Sequence, residues 1–124
     1  MPVIKKNEAC QVTIDDRQYP CPISMAMDLI GGKWKGVILY YLKDGNKRFS
    51  ELCKDIPNIT EMTLSLQLKK MEADGLVKRK VEGIKPPLKV DYSLTEFGES
   101  LRPVLNAISE WANSVIPNKL QDSE

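Results

Sequence analysis

The spacing of apolar residues predicts a short helix, a tight turn and a longer helix near the middle of the chain. Leu52 and Ile56 lie four residues apart on one face of the short helix, and Ser50 has a side chain of the type that caps a helix start. The dipeptide 57–58, a proline and an asparagine, disfavours further helix and predicts the turn.

The longer helix is expected to begin at the cap residue Thr60 and to end at Gly75. Its core positions are Leu64, Leu68 and Met71. Its polar side carries Thr63, Ser65, Gln67, Lys69 and Lys70. Two helices joined in this way predict a helix-turn-helix, in which the second helix enters the major groove of DNA.

Beyond Gly75 the apolar period changes to two, which predicts strands over residues 76–81 and 89–94 with a turn at Gly83 and the following prolines. A β-hairpin directly behind a recognition helix is called a wing. The predicted fold class is therefore α+β and mainly α, a winged helix-turn-helix with a two-stranded β wing and extra N- and C-terminal dimerisation helices. Basic residues follow the hairpin at Lys78, Arg79, Lys80, Lys85 and Lys89.

Two more helices are expected before this motif. Pro22 suits the first turn of a helix over residues 22–30, and residues 34–42 carry an apolar face on which Trp34 is expected to belong to the core. Residues 1–19 show only a short alternation over residues 12–14, which predicts an N-terminal arm with a short strand or an extended stretch.

After the wing, Thr95 is expected to cap one long helix that Pro103 kinks or interrupts by an irregular turn. This helix has more apolar positions than a small core can bury, so it is expected to lie beside the helix over residues 22–30 and to form a symmetric dimer interface with it. The alternative is that Trp111 closes the core of the single chain. The predicted dimerisation residues are Ile23, Met27, Leu101, Leu105, Ile108 and Trp111.

The length and composition of the chain limit its domain organisation and the classes of function open to it. The 124 residues suit one domain, expected over residues 20–116, with the arm before it and a flexible tail over residues 117–124. The net charge of +1 does not by itself argue for nucleic acid, but positive charge concentrates on the second motif helix and the hairpin.

The chain has three cysteines and no histidine. Three cysteines are a poor disulfide framework, and no apolar run is long enough to span a membrane, so a cytoplasmic location is expected. Without histidine, a Cys-His hydrolase and a zinc site with histidine ligands are excluded, and we expect no cofactor and no metal.

Blocks of residues along the chain carry a family resemblance. The blocks 21–23 (Cys-Pro-Ile), 29–34 (Leu-Ile-Gly-Gly-Lys-Trp), 48–52 (Arg-Phe-Ser-Glu-Leu) and 91–96 (Asp-Tyr-Ser-Leu-Thr-Glu) resemble the HxlR-type regulators, a bacterial and archaeal winged-helix family related to MarR proteins. The resemblance covers about Cys21 to Trp111.

The resemblance implies a homodimeric regulator of transcription that binds double-stranded DNA in a sequence-specific manner, more often as a repressor. Several relatives sense oxidants or electrophiles through a cysteine at the position of Cys21, so an electrophile or other small molecule is a further expected partner. Two departures stand out. Leu88 adds a residue to the wing, which predicts a bulge, and Leu66 with Gln67 replaces a more usual polar or basic pair.

The residues expected to contact DNA are Arg48, Thr60, Thr63, Ser65, Leu66, Gln67, Lys70, Lys78, Lys80, Lys85 and Lys89. Glutamine can bond an adenine edge, serine and threonine can bond base edges or phosphate, and Leu66 can touch a thymine methyl group. The lysines and Arg48 suit phosphate, and Arg79 of the wing is a further candidate for a phosphate or minor-groove contact. Strand alternation separates Lys78 and Lys80 from Arg79, so not all three can reach DNA. The alternative is that each of these residues is simply exposed to solvent and contacts no DNA.

Cys21 lies immediately before a helix start, where the helix dipole and free N–H groups favour the thiolate. The alternative role is that of a small apolar residue fixing the entry to the helix. Cys53 follows core-facing Leu52 and is expected to be half exposed, and a disulfide between it and Cys21 or Cys10 stays open. Cys10 is expected to be a bystander unless the N-terminal arm packs across the partner subunit.

Two other classes of function compete with the regulator. A winged helix can serve as a protein-interaction module without DNA binding, against which the basic wing argues. An enzyme with Cys21 as nucleophile lacks a histidine, a glycine-rich phosphate loop and a credible carboxylate pair.

Overall fold

The computed structural model describes residues 1–117, so the predicted tail lies outside the described residues except for its first residue. The helices are α1 (Pro22–Ile30), α2 (Lys35–Tyr41), α3 (Phe49–Asp55), α4 (Glu61–Ala73), α5 (Glu96–Glu99) and α6 (Arg102–Val115). The strands are β1 (Ile4–Lys6), β2 (Val12–Ile14), β3 (Arg17–Tyr19), β4 (Lys47–Arg48), β5 (Val77–Glu82) and β6 (Lys89–Leu94). None of these helices is both long enough and apolar enough to cross a bilayer.

One core connects the helices with two small antiparallel sheets, whose strand orders are β1-β2-β3 and β4-β6-β5. Its fully buried side chains come from both sheets and from α2, α3 and α4, and include Ile14, Ile38, Leu52, Leu64 and Val77. Burial of such a side chain stabilises the fold by about 1.5–3 kcal/mol. Helices α3 and α4 followed by the hairpin β5–β6 form the predicted winged helix-turn-helix, so the predicted fold class is confirmed.

Helix α4 has the predicted ends. The Thr60 hydroxyl oxygen accepts a hydrogen bond from the Thr63 amide at 3.1 Å, which caps the N-terminus. At the other end Gly75 has a φ of +77°, a left-handed conformation that glycine adopts at no steric cost. The Leu76 amide then donates to the Met71 carbonyl at 2.9 Å. This bond belongs to a Schellman motif, which turns the chain directly from α4 into the wing.

Helix α3 begins at Phe49 with Arg48 at its N-cap, so the prediction that Ser50 caps this helix was wrong. The Glu51 carboxylate accepts a hydrogen bond from the backbone amide of Arg48 at 3.0 Å, which is the bond that the third helical residue makes back to the N-cap in a capping box. The turn at residues 57–58 is confirmed, and Asn58 there has a φ of +66°.

The wing sheet differs from the prediction in two respects. The hairpin is confirmed, but β4 pairs with β6 and adds a third strand to the predicted two. The register of the hairpin runs without interruption from Val77 opposite Leu94 to Glu82 opposite Lys89. The prediction of a bulge at Leu88 was therefore wrong, because the connection over residues 83–88 accommodates the extra residue outside the paired strands.

The N-terminal segment forms the sheet β1-β2-β3, with β2 at the predicted position. Val12, Ile14 and Tyr19 from this sheet are buried in the main core. The segment therefore packs on the domain that follows it, while the division of the chain at residue 20 stays a prediction.

The C-terminal helix is interrupted. Thr95 caps α5 as predicted, since its hydroxyl oxygen accepts from the Gly98 amide at 3.0 Å. The chain then turns at residues 100–101, and Pro103 occupies the first turn of α6, where proline is well tolerated. The prediction of one long helix was wrong, and the alternative of an irregular turn near Pro103 is confirmed. Helix α6 packs chiefly on α2 and not, as predicted, on α1.

Candidate nucleic-acid interface

Helix α4 presents one side to the core and the opposite side to solvent. Leu64, Leu68 and Met71 are buried, as predicted. On the opposite side Met62 is 83% exposed and Leu66 is 52% exposed. At about 100° per residue, Lys69 and Lys70 lie on the same exposed side. We call Met62, Leu66, Lys69 and Lys70 the outer face of α4.

The predicted DNA-contacting residues of α4 do not all share this face. Thr63 and Gln67 are half-buried and border the outer face on the side of Lys70. Ser65 lies at the other edge of the helix, between Glu61 four residues before it and Lys69 four residues after it. The structure therefore brings Thr63, Gln67, Leu66 and Lys70 together and separates Ser65 from them.

The hydroxyl groups of Thr60 and Thr63 are partly occupied by the helix cap. The Thr60 hydroxyl accepts from the Thr63 amide and donates to the Thr63 hydroxyl oxygen at 3.0 Å. The Thr63 hydroxyl hydrogen remains free to donate to a base edge or to a phosphate. Thr60 consequently serves first to shape the start of α4, and Thr63 is the better placed of the two for an external contact.

Met62 and Lys69 are prominent on the outer face but were not among the predicted contact residues. Among residues 1–117, no carboxylate lies within ion-pair distance of Lys69 or Lys70. The helical spacing that assigned Leu64 and Leu68 to the core already pointed Met62 outward, so this residue could have been found from the sequence.

The two faces of the wing sheet carry different charges. In the paired register Lys78 lies opposite Ser93 and Lys80 opposite Asp91, so all four share the face turned away from the core. Lys80 also lies 3.4 Å from Glu82, which offsets part of its charge. The predicted contact residues Lys78 and Lys80 therefore lie on a face that carries acidic side chains.

Arg79 lies on the other face of the wing, in register with Tyr92. That face also bears Val77 and Leu94, which are buried against the helices. Arg79 itself is exposed. It is thus the basic residue of β5 on the helix side of the sheet, whereas the other predicted wing candidates of β5, Lys78 and Lys80, lie on the opposite face.

The tip of the wing is exposed and basic. Ile84 is almost fully exposed, and Lys85 and Lys89 are exposed beside it. Among the residues that the structure describes, neither lysine has a carboxylate within 4.0 Å. The tip carries two ammonium groups without such a partner in the described part of the chain, at the exposed connection between β5 and β6. This arrangement suits contact with the phosphate backbone of a nucleic acid.

Arg48 and Lys47 lie where β4 meets α3. The Arg48 guanidinium is 3.9 Å from Asp91, so it is only loosely paired and half exposed. The Lys47 ammonium lies 2.8 Å from the Asp55 carboxylate, and this hydrogen bond raises the pKa of Lys47. Lys47 is thereby occupied in holding β4 to the end of α3, while Arg48 keeps hydrogen-bonding capacity for a further contact.

The three cysteines are free thiols in three different environments. Cys21 is the N-cap residue of α1, is half-buried, and makes no side-chain capping hydrogen bond. Cys53 is half-buried on α3, as expected, and burial, helped by the Glu61 charge, raises the pKa of its thiol. Cys10 is exposed in the turn between β1 and β2. Because the thiolate is the reactive form, the environment of Cys53 lowers its reactivity at neutral pH.

The predicted dimerisation residues fall into two groups. Ile23 and Met27 on α1 and Ile108 and Trp111 on α6 are exposed in the single chain. The other two predicted residues do not protrude in this way, since Leu105 is buried in the core and Leu101 packs partly against it.

Trp111 does not close the core of the single chain, because it is 67% exposed. Trp34 is half-buried against the core, and the Lys33 ammonium lies 5.0 Å from the centre of its ring. An open apolar cavity lies between α2 and α6, and its lining includes Tyr40, Tyr41 and Ile108.

Comparison with known proteins agrees with this architecture. The model of the family described as HxlR-like helix-turn-helix matches residues 29–120. The HTH-type transcriptional regulator YybR of Bacillus subtilis is 50% identical over 94 residues, which are 76% of this chain and 74% of that protein.

Solved structures show the same fold. The redox regulator HypR in its oxidized form superposes with a TM-score of 0.73 and 47% identity, covering 79% of this chain and 100% of that chain. The reduced form of the transcriptional regulator YodB from Bacillus subtilis superposes with a TM-score of 0.66 and 38% identity, covering 77% of this chain and 93% of that chain. The chain belongs to the HxlR-like helix-turn-helix family, whose members compared above are transcriptional regulators.

Proposed function

We propose that this regulator is a homodimer that binds a specific DNA sequence and represses transcription, and that modification of Cys21 alters that binding. The observation that carries the proposal is the outer face of α4, where Lys69 and Lys70 lie beside exposed side chains on the second helix of a helix-turn-helix. A helix of this kind fits the major groove, and its lysines suit the flanking phosphates.

The half-buried residues beside the outer face supply polar contacts to bases. The Gln67 amide can bond an adenine edge at two positions, and the Thr63 hydroxyl can donate to an acceptor in the groove. From the wing, Lys85 and Lys89 at the tip and Arg79 on the helix side are the basic groups best placed for a neighbouring stretch of backbone. Cytoplasmic location and the absence of catalysis belong to the same proposal.

Salt dependence of binding tests the contact made by α4. The Lys69→Ala/Lys70→Ala double variant is compared with Lys5→Ala/Lys6→Ala, which removes the same charge from the exposed strand β1. Each lost phosphate contact lowers the slope of log affinity against log salt by roughly one unit, so the α4 variant loses about two units per protomer. The β1 variant keeps the wild-type slope. Equal slopes for the two variants contradict the proposed interface.

A symmetric dimer would place two α4 helices on one face of the duplex. The exposed residues Ile23, Met27, Ile108 and Trp111 form the apolar surface that we assign to the partner protomer. A two-fold dimer recognises a near-palindromic site with half-sites about one helical turn apart. The cavity between α2 and α6 borders this surface through Ile108 and is our candidate for a small-molecule effector.

Cys21 is the proposed sensing residue because its thiol lies at the start of α1, next to that apolar surface. HypR is described as a redox regulator, and YodB has been solved after diamide treatment. Diamide removes two electrons and two protons from a pair of thiols, so the new disulfide joins Cys21 to a second thiol. That thiol is Cys21 of the partner subunit or belongs to a small thiol compound, and the bond changes the separation of the two α4 helices.

The thiol proposal is tested by DNA binding before and after diamide, with Cys21→Ser and the matched variants Cys10→Ser and Cys53→Ser. Wild type and both control variants are expected to lose binding on oxidation, while Cys21→Ser keeps it. If Cys21→Ser also responds, or if wild type does not, Cys21 has a structural role and the DNA-binding proposal stands alone.

A further inference from the structure

Two large apolar side chains occupy the centre of the outer face of α4. Met62 is 83% exposed and Leu66 is 52% exposed, and they lie four residues apart, so their side chains are neighbours on the helix surface. Isolated exposed apolar residues are common on proteins. This pair differs because it lies opposite the core positions Leu64 and Leu68, on the part of the helix that would penetrate deepest into a groove.

The chemistry of the pair restricts what it can recognise. Methionine and leucine carry no hydrogen-bond donor, and the thioether is only a weak acceptor, so neither can bond the polar base edges effectively. The major groove offers one apolar group, the C5-methyl group of thymine. Contact with that methyl group removes apolar surface of both partners from water.

The surroundings of the pair favour a polyanion over an apolar protein surface. Lys69 and Lys70 adjoin it on the outer face, and no carboxylate among residues 1–117 lies within 4.0 Å of either ammonium group. A protein partner seated on Met62 and Leu66 would have to cover or desolvate these charges, whereas DNA phosphates lie on either side of the groove and would attract them.

We infer that Met62 and Leu66 are specificity-determining residues that contact thymine methyl groups in the centre of each half-site. The inference rests on the proposed function and adds the chemistry of the recognised bases. Gln67 and Thr63, at the edge of the outer face, recognise polar base edges beside these thymines. The operator is thus distinguished at its centre by methyl groups and at the flanking positions by hydrogen bonds.

Replacement of thymine by uracil tests the inference, because uracil keeps the hydrogen-bonding edge and lacks only the methyl group. The probe is the duplex that reduced wild-type protein selects from a random-sequence pool, synthesised once with thymine and once with uracil throughout. Loss of one buried methyl contact costs a factor of roughly four, so loss of one contact in each protomer of a dimer weakens wild-type binding roughly fifteenfold, and loss of more contacts weakens it further.

Variants separate a side-chain contact from an effect of uracil on the shape of the duplex. Met62→Ala/Leu66→Ala keeps a good helix former at two exposed positions and is expected to bind the two duplexes equally. Lys69→Ala, the matched control on the same face, is expected to bind both more weakly while it keeps the preference for thymine. Circular dichroism and thermal unfolding confirm that each variant is folded.

Three results overturn the inference. If wild type binds both duplexes equally, DNA recognition stands and the methyl contacts do not exist. If the Met62→Ala/Leu66→Ala variant still prefers thymine, the preference arises elsewhere on the protein or in the DNA. If wild type selects no sequence from the pool, the proposed function fails and the inference fails with it.

Discussion

The guanidinium of Arg17 lies 3.0 Å from a carboxylate oxygen of Asp74, the residue at the C-terminal end of α4. The same nitrogen of Arg17 lies 3.4 Å from Asp28 on α1. The Asp28 carboxylate also accepts a hydrogen bond from the Tyr19 hydroxyl, and burial together with this bond raises the pKa of Tyr19. The N-terminal sheet thereby ties α1, which begins at Cys21, to the end of the proposed recognition helix.

The two ion pairs of Arg17 are expected to differ in strength. The Asp74 side chain is 14% exposed and the Asp28 side chain is 50% exposed, so solvent screens the second pair more. A double-mutant cycle with alanine variants, followed by urea unfolding, should give a coupling energy of roughly 1 kcal/mol for Arg17–Asp74 and a smaller one for Arg17–Asp28. A larger coupling with Asp28 would contradict this order.

Two glycine-to-alanine substitutions are expected to change the free energy of unfolding differently, one lowering it and the other leaving it unchanged or raising it. A methyl group at Gly98 would overlap the Leu76 carbonyl oxygen, so Gly98→Ala should destabilise the fold by about 1–3 kcal/mol. At Gly36, inside α2, the added carbon would meet only the Ile30 carbonyl oxygen at 3.5 Å, an ordinary contact. Gly36→Ala should therefore be neutral or stabilising by up to about 1 kcal/mol.

Thermal and urea unfolding of the two glycine variants provide the check. Each variant is the control for the other, since both add the same methyl group to the same chain. A loss of stability at Gly36 as large as that at Gly98 would show that the close approach of α5 to the Leu76 carbonyl is not what requires glycine at position 98.

The Cys53 thiol should ionise at a higher pH in the folded protein than in the unfolded chain, because burial and the Glu61 charge raise its pKa. In a Cys10→Ser/Cys21→Ser variant, the rate of iodoacetamide labelling should reach half its maximum at a higher pH than in urea-unfolded protein. Glu61→Gln should shift that midpoint downward only in part, since burial is the larger cause. An equal midpoint in folded and unfolded protein would refute the assignment.

Trp111 is expected to be the main anchor of the proposed dimer, because it is the largest exposed apolar side chain of α6. Truncation of a central aromatic residue often costs about 2 kcal/mol or more, and both protomers carry the change, so Trp111→Ala should raise the dimer dissociation constant by at least roughly thirtyfold. Sedimentation equilibrium measures this change. Val3→Ala, at an exposed apolar residue outside the proposed interface, is the control, and an equal effect of the two substitutions would argue against α6 as the interface.

The helices with a sustained apolar period were predictable from sequence. The bounds of α1 and the capping of α4 by Thr60 agree with the structure, because both follow from local spacing and cap chemistry. The strands β1, β3 and β4 were missed. Each contains only two or three residues, too few to show a period, and the pairing of β4 depends on a strand distant in the sequence.

The candidate site was predictable only in part, for a related reason. Helical spacing separates the core side of α4 from its exposed side, but not the residues near the edges, where Ser65 and Gln67 lie on different flanks. In the wing, alternation correctly separated Arg79 from Lys78 and Lys80. Which of the two faces turns toward the helices depends on packing, and it was decided by the burial of Val77 and Leu94.

The most direct test of the account is binding of the reduced wild-type protein to the DNA upstream of its own coding sequence. The affinity is compared with that for a duplex of the same length and composition in scrambled order, at physiological salt. A specific regulator should prefer the upstream duplex by about a thousandfold or more. Equal affinity for the upstream duplex, the scrambled duplex and every other genomic fragment, or no binding to any fragment even at low salt, would contradict the proposal that this protein is a sequence-specific DNA-binding regulator.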